Sequence, residues 1–248
     1  MLPLFKSHFS IGKSILTLEA EGQRSIFQLS KDAGLKEIVL VEDSLIGFLE
    51  ARKKSNDLGF DLRFGLRVSI ANHTLFAESL KAEDTCVHKV IVFAKNSEGC
   101  RILNKIYSNA FCEGGGVLNE NFLRSVWKED CLKLAIPFYD SFIYNNTMLF
   151  ASCMPQIDFT SPCFFVEDNG LPFDGMIRSE VESYSKRNSC EIVNAKSLYY
   201  PSYKDFLAYQ TYKCICNRTY KSRTLECPNF DHQGSDKFCF EDWKELNS

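Results

Sequence analysis

Histidine, tryptophan and proline are scarce in this chain, at four, two and seven of 248 residues. Long hydrophobic runs are missing as well: nothing approaches the roughly 20 apolar residues of a membrane helix. Neither sign of charge dominates, with 29 basic and 32 acidic side chains and a formal net charge of −3. That balance excludes a broad electrostatic attraction to a polyanion, so no strong nucleic-acid signal is present. The basic residues Lys213, Arg218, Lys221 and Arg223 read as a solvated face. The opening residues Met1 to Lys6 lack the charged and apolar regions of a secretion signal. The expectation is a soluble, cytoplasmic protein with no membrane partner. Repeats and low-complexity tracts are absent, as are G-x-S-x-G, a phosphate-cradling glycine loop and H-E-x-x-H. The glycines after Glu113 read as a flexible loop.

Cysteine, by contrast, is plentiful, with eleven residues. Without a secretion signal these read as free thiols, many of them buried as small apolar groups. The sequons at Asn72, Asn145 and Asn217 are then inert. Cys214, Cys216, Cys227, His232 and Cys239 crowd the carboxyl end, but their spacing matches no paired C-x-x-C zinc knuckle. Cys214 and Cys216 fall in a helical pattern, where positions two apart diverge by about 200°. Scattered thiols are the expectation there.

Hydrophobic residues make up 45% of the chain, with 21 phenylalanines, enough for a sizeable aromatic core. Short apolar runs alternate with longer amphipathic segments, the pattern of alternating strands and helices. Strands are expected at 4–9, 37–41, 62–68, 90–94, 132–136, 147–152, 161–166 and 191–195. Helices are expected at 23–33, closed by Gly34, from a Ser44 cap toward Gly59, after a cap at Asn96 or Ser97, at 172–186 and at 202–216. The simplest assembly is one α/β domain over residues 1–248, a barrel-like parallel sheet ringed by helices. In such barrels chemistry sits where strands give way to loops, and His8, Val41, Arg67 and Ser197 all occupy strand ends.

Several runs carry a family likeness. Phe93-Ala94-Lys95-Asn96-Ser97-Glu98-Gly99-Cys100-Arg101-Ile102-Leu103 is similar to L-A-K-N-x-E-G-Y-x-N-L. Phe64-Gly65-Leu66-Arg67-Val68 resembles I-G-x-E-V, and Leu45-Ile46-Gly47-Phe48-Leu49-Glu50 resembles L-F-G-A-x-E. Val193-Asn194-Ala195-Lys196-Ser197-Leu198-Tyr199-Tyr200 resembles V-A-T-N-D-V-H-Y. Together they resemble the PHP (polymerase and histidinol phosphatase) domain, with the closest likeness to the amino-terminal PHP domain of bacterial DNA polymerase III alpha subunits. The resemblance covers nearly the whole chain and implies a distorted (β/α)7-like barrel; the chain stops where the polymerase regions would follow.

In active members of that family, histidines and carboxylates hold divalent metals that activate water against a phosphoester. Here the likeness retains His8 and replaces the rest. Ser10 stands for the second histidine of H-x-H, Val41 and Glu42 for the aspartate and histidine of T-D-H-G, and Arg67 for the glutamate of G-x-E. Ser197 and Tyr199 replace the late aspartate and histidine, and His88 lies one residue from a further family histidine. A guanidinium stays protonated and has no lone pair to give. At about 4 Å it would repel a dication by about 2 kcal/mol even in bulk water. The vestigial pocket is therefore expected to hold no metal and no catalytic residue. Glu42 and Arg67 are expected to pair across it, because either charge left alone would cost several kcal/mol. Asp43 could replace the lost aspartate through a two-residue slip, which keeps the same strand face. Asp140 and Asp168 sit in turn-like contexts. The expected function is a structural or protein-binding module of DNA replication, with a replication protein or polymerase chain as partner. The alternative is a metal-dependent phosphoesterase or 3'-5' exonuclease using an altered ligand set with manganese or zinc.

Overall fold

The computed structural model describes residues 1–7, 15–71, 86–216 and 234–248, with only the backbone of 214–216. His8 and Ser10 therefore lie outside the described residues, as do Arg218, Lys221, Arg223, Cys227 and His232. Along the chain run β1 (Leu2–Phe5), α1 (Ile26–Asp32), β2 (Glu37–Glu42), α2 (Phe48–Leu58), β3 (Asp61–Ala71) and β4 (Val87–Ala94). They are followed by α3 (Ser97–Ser108), β5 (Val117–Asn119), α4 (Glu120–Val126), β6 (Leu132–Ile136) and α5 (Phe142–Met148). The remainder is β7 (Cys163–Val166), α6 (Asp174–Asn188), β8 (Glu191–Leu198), α7 (Phe206–Cys216) and α8 (Phe240–Asn247). The chain packs as two compact units, one of residues 1–64, 167–174 and 194–248, the other of 65–166 and 175–193. Each is mixed α/β. Among the described residues no helix is long and apolar enough to cross a membrane.

The first unit is built on parallel strands. β1 sits between β2 and β8, with Phe5 opposite Leu40 on one side and Leu198 on the other. Burial on both faces explains the nearly unbroken apolar run Ile38 to Val41. Helix α8 closes over β1: Phe240 stacks on Phe5 at 6.0 Å, and the Trp243 indole N–H donates to the Met1 carbonyl at 3.0 Å. Helix α1 is capped by Ser25 and ends at Gly34, whose φ of 67° is the left-handed geometry expected there. The expected Ser44 cap is corrected. Ser44 Oγ accepts the Ile46 N–H within a turn, and α2 begins three residues later than that turn implied, after Gly47.

In the second unit the expectation of an all-parallel sheet fails. β4 runs antiparallel to both β3 and β6, pairing Arg67 with Ile91 and Ile91 with Ala135, while β6–β7 and β3–β5 are parallel. The run Val90-Ile91-Val92 reports burial, and an antiparallel strand covered on both faces reads the same as a parallel one. The expected strand at 147–152 is also absent: Met148 ends α5, and Phe150 is 91% exposed with φ of 52°. Apolarity there does not mark a core. The short α4, capped by Asn119, was not anticipated.

The Asn96-to-Leu103 run has a local physical reason. The Asn96 carboxamide accepts the Gly99 N–H at 2.9 Å, capping α3. A Cβ on Gly99 would fall onto the Cys131 carbonyl oxygen, deep inside van der Waals contact. Gly99→Ala is therefore expected to destabilise the protein by about 1–3 kcal/mol in urea unfolding. Gly175 in α6 has open space around the same position, and Gly175→Ala should be neutral or stabilising by up to about 1 kcal/mol. Equal effects of the two changes would contradict this packing.

Candidate functional site

At the end of β2, Val41 and Glu42 are both buried. The Glu42 carboxylate accepts the backbone N–H of Ser7 at 2.7 Å. The following residue, Asp43, faces the Lys6 ammonium at 2.5 Å, with Lys6 almost wholly enclosed. The register slip that would free Asp43 as a metal ligand thus meets a cation already in place. Lys6 lies just past β1, so both contacts tie the adjacent parallel strand ends together.

At the end of β8 a larger polar network is buried. Ser197 donates to Glu167 twice, from its backbone N–H at 2.9 Å and its hydroxyl at 2.7 Å. The Asn169 amide donates to the same carboxylate at 3.1 Å. Burial pushes the Glu167 carboxyl above its ordinary range, opposed by these hydrogen bonds and by the charge of Lys196. The Lys196 side chain has no solvent exposure. Its ammonium donates to Asn169 Oδ1 at 3.0 Å and to the Asp168 carbonyl at 3.2 Å, and it lies 2.5 Å from Asp242 Oδ2. The Tyr203 hydroxyl donates to the other oxygen of Asp242 at 2.9 Å. Asp168 itself accepts the Gly170 N–H at 3.1 Å, the turn role expected of it. Tyr199 stacks on Tyr209 with ring centroids 5.3 Å apart and planes within 6°. It serves packing.

The second unit holds Arg67 and His88. Arg67 forms an ion pair with Asp140, its side chain largely buried. Asp140 occupies a turn with φ of 60°, just before the Ser141 cap of α5, and its carbonyl accepts the Lys89 N–H at 2.7 Å. The turn reading of Asp140 holds, but it omitted this cationic partner. His88 faces Ile70 across the strand pair, and its ring meets Phe142 edge-on at 5.8 Å. Among the described residues neither ring nitrogen has a hydrogen-bond partner, and burial pushes the imidazole down to about 4.

Beside His88, Cys86 and Cys153 are joined as a disulfide, with Cα atoms 5.5 Å apart. The expectation of free thiols is corrected at these two positions. The bridge spans 67 residues of sequence, and no local pattern announces it. Cys239 is a free, buried thiol whose sulfur accepts the Asp242 N–H at 3.5 Å, capping α8; burial pushes it up to about 11. Lys213, expected on a solvated face, is buried.

Of the eight vestigial positions, the first unit thus carries Val41, Glu42, Ser197 and Tyr199, and the second carries Arg67 and His88. Sequence reasoning missed Glu167, Asn169, Lys196 and Asp242. The available signal was Lys196 itself, a charge between Ala195 and Leu198 at the buried end of β8. No family model matches the chain, and no curated protein matches it.

Two outcomes follow. Asp242→Ala strands a buried ammonium and is expected to cost about 3 kcal/mol in urea unfolding; a loss below about 1 kcal/mol would contradict the ion-pair account. His88 has a folded-state value below its ordinary 6.5. Its contribution is therefore complete above pH 6.5 and is lost as pH falls through about 4. With EDTA present, stability should decline across that window by on the order of 3 kcal/mol. His88→Leu should remove that part of the decline, and an unaltered pH profile would refute the assignment.

Proposed function

We propose that this chain is a PHP-like module, related to the domain of bacterial DNA polymerase III alpha subunits, that binds a replicative polymerase chain and does not hydrolyse phosphoesters. The finer architecture belonging to this reading is a distorted (β/α)7-like barrel. The observation that carries it is the state of Arg67. A guanidinium that is largely buried and ion-paired to Asp140 stands where the family resemblance implies a ligand carboxylate. It has no lone pair for a cation, and its charge opposes one nearby.

Other positions support the same reading. Glu42 takes the Ser7 N–H, Asp43 takes the Lys6 ammonium, and Ser197 holds Glu167 with two hydrogen bonds. Among the described residues, Glu42, Arg67 and Ser197, which the resemblance places near a former metal, each hold a partner within the chain. A fold-level likeness alone does not transfer partners, so the polymerase link stands or falls on a binding measurement.

Hydrolysis of a phosphodiester and of single-stranded DNA from its 3' end, with manganese or zinc supplied, should show no turnover above a buffer control. Turnover abolished by His8→Ala would establish the alternative, a phosphoesterase or exonuclease with an altered ligand set. Co-purification from the native host should recover a replicative polymerase chain at a fixed ratio. Recovery of the protein alone after cross-linking would overturn the binding role.

A further inference from the structure

Cys86, His88 and Cys153 form a cluster in the second unit that joins one of the vestigial positions, His88, to two sulfurs. One ligand-capable atom from each lies within 4.8 Å of the other two. The disulfide accounts for the sulfurs but not for the imidazole. His88 is buried with neither ring nitrogen hydrogen-bonded among the described residues, and an unpaired buried polar group is costly unless something compensates it. A neutral imidazole offers a lone pair to a metal.

The surrounding backbone holds the three residues in place. Helix α5 presents consecutive asparagines to the two cysteine segments. The Asn145 amide donates to the Val87 carbonyl at 3.0 Å, between Cys86 and His88. Asn146 grips Cys153 at both backbone groups, donating to its carbonyl at 2.9 Å and accepting its N–H at 2.7 Å. The anchors do not use either sulfur, so they persist when the disulfide opens. His88 and Cys153 are buried, whereas Cys86 is half-exposed and gives the site a route to solvent.

We propose that in the reduced protein Cys86, His88 and Cys153 hold one zinc-like divalent ion, and that the disulfide is the oxidised, metal-free form of the same site. Two sulfurs and one imidazole are the donors that suit zinc, whereas manganese and magnesium favour oxygen. Ligand atoms bound to one zinc ion at about 2.0–2.3 Å lie within about 4 Å of one another. Once the sulfur–sulfur bond is broken, the two sulfurs separate from bonding distance to about 4 Å, while the imidazole, already within 4.8 Å of both, closes by less than about 1 Å.

The chemistry balances with a dithiol as reductant. Its two thiols give two electrons and two protons to the Cys86–Cys153 bond, yielding two protein thiols and a disulfide in the reductant. Metal binding then releases both thiol protons to solvent, and two thiolates with a neutral imidazole leave the site uncharged around a dication. Solvent completes the tetrahedron on the side of Cys86.

Cobalt(II) is a suitable probe, because thiolate coordination gives near-ultraviolet charge transfer and a tetrahedral field gives visible bands. The full chain, reduced with a dithiol and desalted without oxygen, is titrated with cobalt. The expected result is both signatures saturating at one equivalent, with neither in the oxidised protein. Cys86→Ser and His88→Gln should each weaken binding at least about tenfold, whereas Cys227→Ser, in the carboxyl-terminal cysteine group, should leave it unchanged. Absence of charge transfer in the reduced wild-type protein would overturn the proposal. Signals of equal strength in the oxidised protein, or in Cys86→Ser, would also overturn it. The comparison of reduced with oxidised wild type needs no variant to fold.

Discussion

A lysine ammonium wholly removed from water must be neutralised where it stands, and Lys196 sets that condition for the first unit. Its charge is met by Asp242 from α8 and by two oxygens of the Asp168–Asn169 turn. Asn169 in turn donates to Glu167, which fixes Ser197 on the neighbouring position of β8. One buried cation therefore ties a strand, a turn and the last helix into a single arrangement. Pairs of this kind add little net stability over apolar packing, but losing one partner is expensive. The network constrains geometry more than it deepens stability.

The same principle recurs at smaller scale. Lys6 and Asp43 join the ends of β1 and β2, and Arg67 is matched by Asp140 in the second unit. Under the proposed reading these pairs replace metal–ligand attraction: positive side chains supply the charge that a dication would otherwise bring. Such a substitution retains a polar interior without retaining Lewis acidity. It leaves the strand ends ordered and chemically quiet, which suits a docking module.

Legibility in the sequence followed how local each cause is. The strand at 132–136 and the capped start of α3 were readable because a buried apolar run and an Asn cap act over a few residues. The direction of β4 was not readable, since burial on both faces gives one pattern for either orientation. Phe150 misled because an exposed aromatic at a helix end is indistinguishable in sequence from a core residue. The Arg67–Asp140 pair and the Cys86–Cys153 bridge join residues 73 and 67 positions apart, and neither has a local signature. Glu42, Arg67 and Ser197 were named from the resemblance, yet the Ser7 N–H, the Asp140 carboxylate and the Glu167 carboxylate that meet them were not.

The central claim is that protein cations, rather than bound metal, balance the buried carboxylates at these strand ends. It is tested most directly by measuring unfolding free energy against manganese concentration, since manganese favours oxygen ligands. The account predicts a flat line. A rise approaching about 1.4 kcal/mol per tenfold increase in manganese would be the signature of an ion bound to the folded state, and would contradict it.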